Sequence, residues 1–359
     1  MPGSRFGLPS WNGARTTALI GAVALLPLLS ATTGAQAPAG PAGAPAKPYT
    51  PPKTAHGQPD LQGVWDFRNV IPLERPAQFA DKEFLTDEEV AEYERTAGER
   101  LDMDRRDDDP NRTPAVVNGQ RATADVARAY NDFWWDFGKK FVGSKRSSLI
   151  IDPKDGKLPA YTPAGKKRVD DDAARRARAA EGPEDRGVGE RCILGFNAGP
   201  PMLPSAYNNN IQLFQSKDHV VILNEMVHDA RIVPIDGRAH KPVPQWSGSS
   251  RGRFEGSTLV VETKGFQQNT SFPGSSPNMQ VVERFTRVGP DQLMYEFTVT
   301  DPTTWTKPFT AQVPMVRSSD HMYEYACHEG NYGMEGILSG ARSLERAGAV
   351  VKPPSTKQQ

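Results

Sequence analysis

The chain has 359 residues, with 43 Lys plus Arg against 43 Asp plus Glu and a formal net charge of zero. That balance excludes a nucleic-acid surface or a polybasic membrane anchor, both of which need an excess of positive charge. Two cysteines and six histidines leave few ways to build a thiol or imidazole site.

The first 35 residues read as a signal peptide. Arg5 and Arg15 supply a positive start, residues 18–29 are apolar, and Thr33-Gly34-Ala35 offers small residues at a peptidase spacing, with cleavage expected after Ala35. The apolar run, about 12 to 14 residues, is short for a bilayer core of about 30 Å, and Pro27 interrupts it. No comparable run follows, so no membrane span is expected after cleavage, and the location is periplasmic or extracellular. Residues 36–59, rich in Ala, Pro and Gly, read as a disordered linker.

The mature domain, 60–346, opens on Gln62-Gly63-Val64-Trp65, a Gly-x-Trp first strand that resembles the opening of lipocalin-like barrels, in which the Trp plugs one end. Thr86 with Glu89 is a capping box, which predicts a helix from Asp87 to about Gly98. A helical and charged insertion occupies roughly 80–190. Within it, Asp107-Asp108-Asp109 lacks the spacing of a calcium loop and reads as solvated. Residues 130–137 hold the densest aromatic cluster, including Trp134 and Trp135, both candidates for ligand contact. A short buried strand is predicted at 147–151. Residues 166–191 read as a solvated helix or loose excursion with no chemistry.

From Cys192 onward the pattern turns to β-branched and aromatic alternation. Strands are predicted at 211–215, 219–227, 230–235, 258–263, 281–288, 292–299 and 322–326, separated by Asp-Gly, Gly-Ser and Gly-Pro turns. Residues 247–252 read as a turn. The fold class is mainly β: an antiparallel barrel or sandwich, lipocalin-like, with a few peripheral helices. A short helix is predicted at 333–342, and 347–359 reads as a disordered tail.

In an oxidising compartment Cys192 and Cys327 are expected to form a disulfide. The alternative, a catalytic thiol at Cys327 served by His328, fails on a strand, where adjacent side chains point to opposite faces.

Two clusters carry candidate chemistry. The first is Glu225, His228, Asp229 and Arg231, where an uninterrupted strand would put Glu225, Asp229 and Arg231 on one face. A carboxylate orienting a histidine base, with an arginine stabilising an anion, fits these residue types; a strand-edge salt-bridge network is the other reading. The second is His328 with Glu329 beside Cys327. Arg251 is a further candidate anion stabiliser. Tyr207, Asn208, Asn209 and Asn210, with Glu225, are candidate substrate-binding residues, although asparagines also serve turns. His228, His240 and His328 lack any tight metal-ligand spacing, so neither a metal nor an organic cofactor is expected.

Several strings together resemble a family of secreted acidobacterial and proteobacterial proteins without an assigned activity: Gln62-Gly63-Val64-Trp65, Arg191-Cys192, Tyr207-Asn208-Asn209-Asn210, His228-Asp229, Asp301-Pro302-Thr303-Thr304-Trp305 and Tyr325-Ala326-Cys327-His328-Glu329-Gly330-Asn331-Tyr332. The resemblance spans nearly the whole mature chain, with Phe254 standing where a Trp is expected. It implies the architecture and the compartment. The functional expectation is an exported enzyme, a lyase or hydrolase, performing acid–base elimination or hydrolysis on a small organic or glycosidic molecule. The alternatives are a lipocalin-like small-molecule binding protein and a metal-dependent enzyme using the same histidines.

Overall fold

The computed structural model describes residues 49–101, 116–117, 120–121, 136, 138–268, 272 and 274–348. The first 35 residues, read above as a signal peptide, together with residues 107–109, Trp134, Trp135 and residues from 349 on, lie outside the described residues.

The strands are β1 (Gly63–Asp66), β2 (Val116–Val117), β3 (Gln120–Arg121), β4 (Ile150–Asp152), β5 (Asn210–Gln215), β6 (His219–Asn224), β7 (Ala230–Pro234), β8 (Ser249–Glu255), β9 (Thr258–Lys264), β10 (Gln280–Gly289), β11 (Gln292–Thr300) and β12 (Phe309–Arg317). Three α-helices accompany them among the described residues: α1 (Asp87–Leu101), α2 (Pro163–Ala177) and α3 (Tyr332–Arg346). Nine strands run antiparallel in the order β7-β6-β5-β1-β12-β11-β10-β9-β8, with β4 flanking β12 and β2–β3 forming a separate hairpin. The path curls until β7 and β8 meet, giving a nearly closed barrel. Gly252 lets that seam approach: a Cβ there would lie 2.8 Å from Ile235 Cγ2 and 2.9 Å from Val233 Cγ1.

Period-2 alternation fills the barrel. Val281, Glu283, Phe285 and Arg287 of β10 and Leu293, Tyr295, Phe297 and Val299 of β11 are all buried. Phe285, Tyr295, Phe297 and Phe309 pack ring to ring through the interior. Side chains such as these occupy the space in which a lipocalin-type ligand cavity would lie.

The Gly-x-Trp opening has a physical explanation. Trp65 is fully buried and its indole N–H donates to the Leu61 carbonyl at 2.9 Å. The Arg317 guanidinium lies 4.6 Å from the Trp65 ring and Arg287 lies at 5.8 Å, an attraction between cation and ring quadrupole. Gly63, at φ +132, makes room for that cation, since a Cβ would sit 2.3 Å from an Arg317 Nη atom.

Several sequence expectations change. Residues 49–59, expected in the linker, are folded: Lys53 and Pro59 bridge, and Gln58 donates to the Ser216 and Lys217 carbonyls. One glutamine docked on a neighbouring turn orders a stretch whose composition suggests disorder. Residues 322–326 are irregular rather than a strand, because aromatic stacking and the disulfide hold them instead of a ladder. Residues 249–255 form β8, although Ser-Ser-Arg-Gly-Arg has weak β propensity; its pairing with β9 provides the support. Strand β12 carries Pro314 between the stretches paired with β4 and with β1, a position that tolerates the missing N–H. The last helix is 15 residues long, longer than expected, and is capped by the Asn331 side chain on the Met334 N–H.

Candidate functional site

On the rim opposite the β10–β11 turn, β6 does not run straight into β7. It ends at Asn224, whose side chain accepts from the Met226 N–H at 3.0 Å and starts a tight turn through Met226–His228. Val227 (φ 60°) and His228 (φ 41°) both adopt the left-handed region. Each such residue costs about 1 to 2 kcal/mol for an L-amino acid, and a β-branched residue is a true outlier there. Among the described residues, the non-glycine positions with positive φ are Cys192, Asn208, Val227 and His228. All four belong to this rim.

Contacts tie them together. Cys192 and Cys327 form the expected disulfide, with Cα atoms 5.7 Å apart. Two residues before Cys327, the Tyr325 ring stacks on Tyr207 at 6.1 Å, and Tyr207 meets the edge of Phe196 at 5.6 Å. The Tyr325 carbonyl lies 3.2 Å from His228 Nδ1. A carbonyl only accepts, so Nδ1 carries a proton, and in the neutral imidazole the lone pair lies on Nε2. His228 is exposed, and Nε2 has no protein partner among the described residues. Gly195 lets the disulfide loop sit on the turn: a Cβ there would lie 2.3 Å from Met226 Cγ.

Asp229 follows, half-buried between the turn and the first residue of β7. Desolvation pushes its carboxyl above the ordinary carboxylate value, while Arg231 and then His228 oppose the rise. No hydrogen bond reaches this carboxylate among the described residues. A desolvated carboxyl next in sequence to an imidazole supplies two groups whose chemistry suits proton transfer.

The other candidates fall elsewhere. Glu225 does not share the face of Asp229 and Arg231, because the turn breaks the strand. It is buried and accepts from Asn210 Nδ2 at 2.9 Å. Arg231 points into the barrel, where it forms a bidentate pair with Glu283, which also accepts from the Tyr295 hydroxyl at 2.9 Å. It therefore acts on Asp229 only through its charge and is not placed to meet an external anion. Arg251 is committed as well, donating to the carbonyls of Arg238, Ala239 and Ser250. Asn209 is buried and clamps two loops, donating to the Asp136 and Ser205 carbonyls and accepting from the Ser205 N–H. Asn208 supplies the left-handed turn. The asparagine run is thus chiefly scaffold, with Asn210 and Tyr207 nearest the site.

His328 and Glu329 are exposed in the turn after Cys327, and among the described residues no hydrogen bond or ion pair joins either to His228 or Asp229. His240 Nδ1 pairs with the Ser249 carbonyl at 2.8 Å. Among the described residues no three His, Cys, Asp or Glu side chains converge as metal ligands, so His228, His240 and His328 do not form a ligand set there. Residues missed in the sequence include Val227, Asn197, Glu283 and Tyr295. Asn197 donates to the Tyr207 and Asn208 carbonyls.

No helix among the described residues is long and apolar enough to cross a membrane. Comparison with protein-family models and with curated proteins gives no match.

Proposed function

We propose that this is an exported enzyme carrying out acid–base elimination or hydrolysis on a small organic or glycosidic molecule at the His228–Asp229 rim, without an organic cofactor. The observation that supports it is the strained pair Val227–His228, which fixes the imidazole Nδ1 on the Tyr325 carbonyl one residue before a carboxyl of raised proton affinity. Strain of this kind persists where the surrounding structure over-determines it and clusters at functional positions. His228 Nε2 takes a proton from water or from an acidic C–H of the substrate, and the Asp229 carboxyl returns one to the departing oxygen. Tyr207 and Tyr325 form an aromatic wall for an apolar or sugar ring.

Export is part of the same proposal: the signal-like first 35 residues and the disulfide agree on an oxidising compartment. The resemblance to secreted bacterial proteins points the same way. A lipocalin-like binding role is favoured by the barrel with its Trp65–Arg317 plug, yet the filled interior leaves such a protein to bind at its rim.

The test is to incubate the protein with a panel of aryl glycosides and phenolic esters, with and without a chelator, and to detect products by mass spectrometry. Chelator-insensitive turnover supports the proposal. Turnover abolished by the chelator favours the metal-dependent alternative, and binding without turnover favours the carrier.

A further inference from the structure

The turn that carries His228 holds one buried donor with no acceptor. Asn224, the last residue of β6, is 2 % exposed. Its side-chain oxygen accepts from the Met226 N–H at 3.0 Å. A main-chain N–H only donates, so this contact also identifies which end of the amide is the nitrogen. That nitrogen, Nδ2, is buried and has no hydrogen-bond partner among the described residues. A buried donor left unmade is costly, and its presence calls for an explanation.

Asp229 stands opposite. The Asn224 N–H donates to the Asp229 carbonyl at 2.8 Å, one step beyond the Leu223–Ala230 pair of the β6–β7 ladder. Residues directly opposite in an antiparallel pair send their side chains to the same face, with Cβ atoms about 4.5 to 5.5 Å apart. The Asp229 carboxylate is itself without a hydrogen bond among the described residues, and burial raises its proton affinity. The other polar groups around it are committed. Arg231 is held by Glu283, which also accepts from the Tyr295 hydroxyl. Glu225 accepts from Asn210, and His228 Nδ1 is held by the Tyr325 carbonyl. An unpaired neutral donor and an unpaired carboxylate therefore share one step of the ladder. Because the Met226 contact fixes the Asn224 amide, the group that turns to join them is the Asp229 carboxylate.

We propose that Asn224 is a positioning residue for Asp229, its Nδ2 donating to the carboxylate once Asp229 has given up its proton. The proposal rests on the reading of Asp229 as the acid of the rim. The Asp229 O–H bond breaks as the proton passes to the departing oxygen of the substrate, and the carboxylate left behind gains the Asn224 bond where solvent is excluded. A charged acceptor takes such a bond more strongly than a neutral one, so the donor favours proton release.

The experiment is an NMR titration of the full-length protein that follows the Asp229 carboxyl carbon and the Asn224 side-chain amide together. The amide protons are expected to move downfield with the midpoint of the carboxyl carbon, and Asp229→Asn is expected to abolish that step. Asn224→Ser keeps an oxygen for the Met226 N–H and removes the amide donor. It is expected to raise the proton affinity of Asp229 about 10-fold, the scale of one hydrogen bond to a charged group. Neither arm uses turnover, so an amide that titrates with Asp229 in a protein without activity would support the contact and count against the catalytic reading. An amide that ignores the Asp229 midpoint, or follows that of His228 or Glu225 instead, would overturn the proposal, and so would an unchanged Asp229 in folded Asn224→Ser. The titration of the parent protein decides the matter even if the serine variant fails to fold.

Discussion

His228 and Tyr325, 97 residues apart in sequence, meet through one contact, from the imidazole Nδ1 to a main-chain carbonyl at 3.2 Å. That contact selects the tautomer with its lone pair on Nε2, and it does so through a segment that is not part of any strand. The proton-accepting atom of the candidate site thus depends on how the stretch 322–327 is held.

Asparagine at 228 separates strain from chemistry. It tolerates the left-handed region better than histidine, and its amide N–H₂ can take the place of Nδ1 on the Tyr325 carbonyl. His228→Asn is expected to be as stable as the parent or up to about 1 kcal/mol more stable, measured by denaturant unfolding. A loss of more than that amount would show that the imidazole is there for stability.

The disulfide closes a loop of 135 residues, for which chain entropy suggests about 4 to 5 kcal/mol of stabilisation. Replacing both cysteines by serine is expected to lower unfolding stability by an amount of that order. It should also loosen Tyr325, seen as faster amide exchange in 322–331 than in the barrel strands.

Arg231 and Glu283 are a buried pair inside the barrel. Arg231→Met alone leaves a carboxylate without its partner in the core and is expected to cost about 3 to 5 kcal/mol. Adding Glu283→Leu should recover much of that loss. A double-mutant cycle checks this, and additive losses would contradict the pairing.

Burial raises the folded-state carboxyl of Asp229 above its ordinary value of 3.8. The folded state then holds this proton to higher pH than the unfolded chain, so the contribution to stability is present below 3.8 and is lost as pH rises through the raised folded value. Asp229→Asn is therefore expected to match the parent in strong acid and to exceed it at neutral pH. Unfolding curves across pH check the sign; a parent more stable than the variant at pH 7 would contradict it.

The barrel was legible because β10 and β11 alternate cleanly, with Val281, Glu283, Phe285 and Arg287 inward. The disulfide was legible from compartment and cysteine count. The site was legible as residue types but not as geometry. An uninterrupted strand would put Glu225 on the same face as Asp229 and Arg231, whereas the Asn224 side chain stops that strand and sends Glu225 toward Asn210. Arg251 and Arg231 read as available cations because their partners, the carbonyls at 238–239 and Glu283, carry no local signal. Strand β8 was missed for a similar reason, since pairing with β9 overrides weak local propensity.

The most direct measurement is the rate at which His228→Asn and Asp229→Asn turn over whichever panel substrate the parent protein consumes, alongside the affinity of each for that substrate. The account predicts that each variant remains folded, binds within a few-fold of the parent and loses about 100-fold or more in rate, the lower range for a positioned acid or base. Unchanged rates in both variants would contradict a catalytic role for this rim.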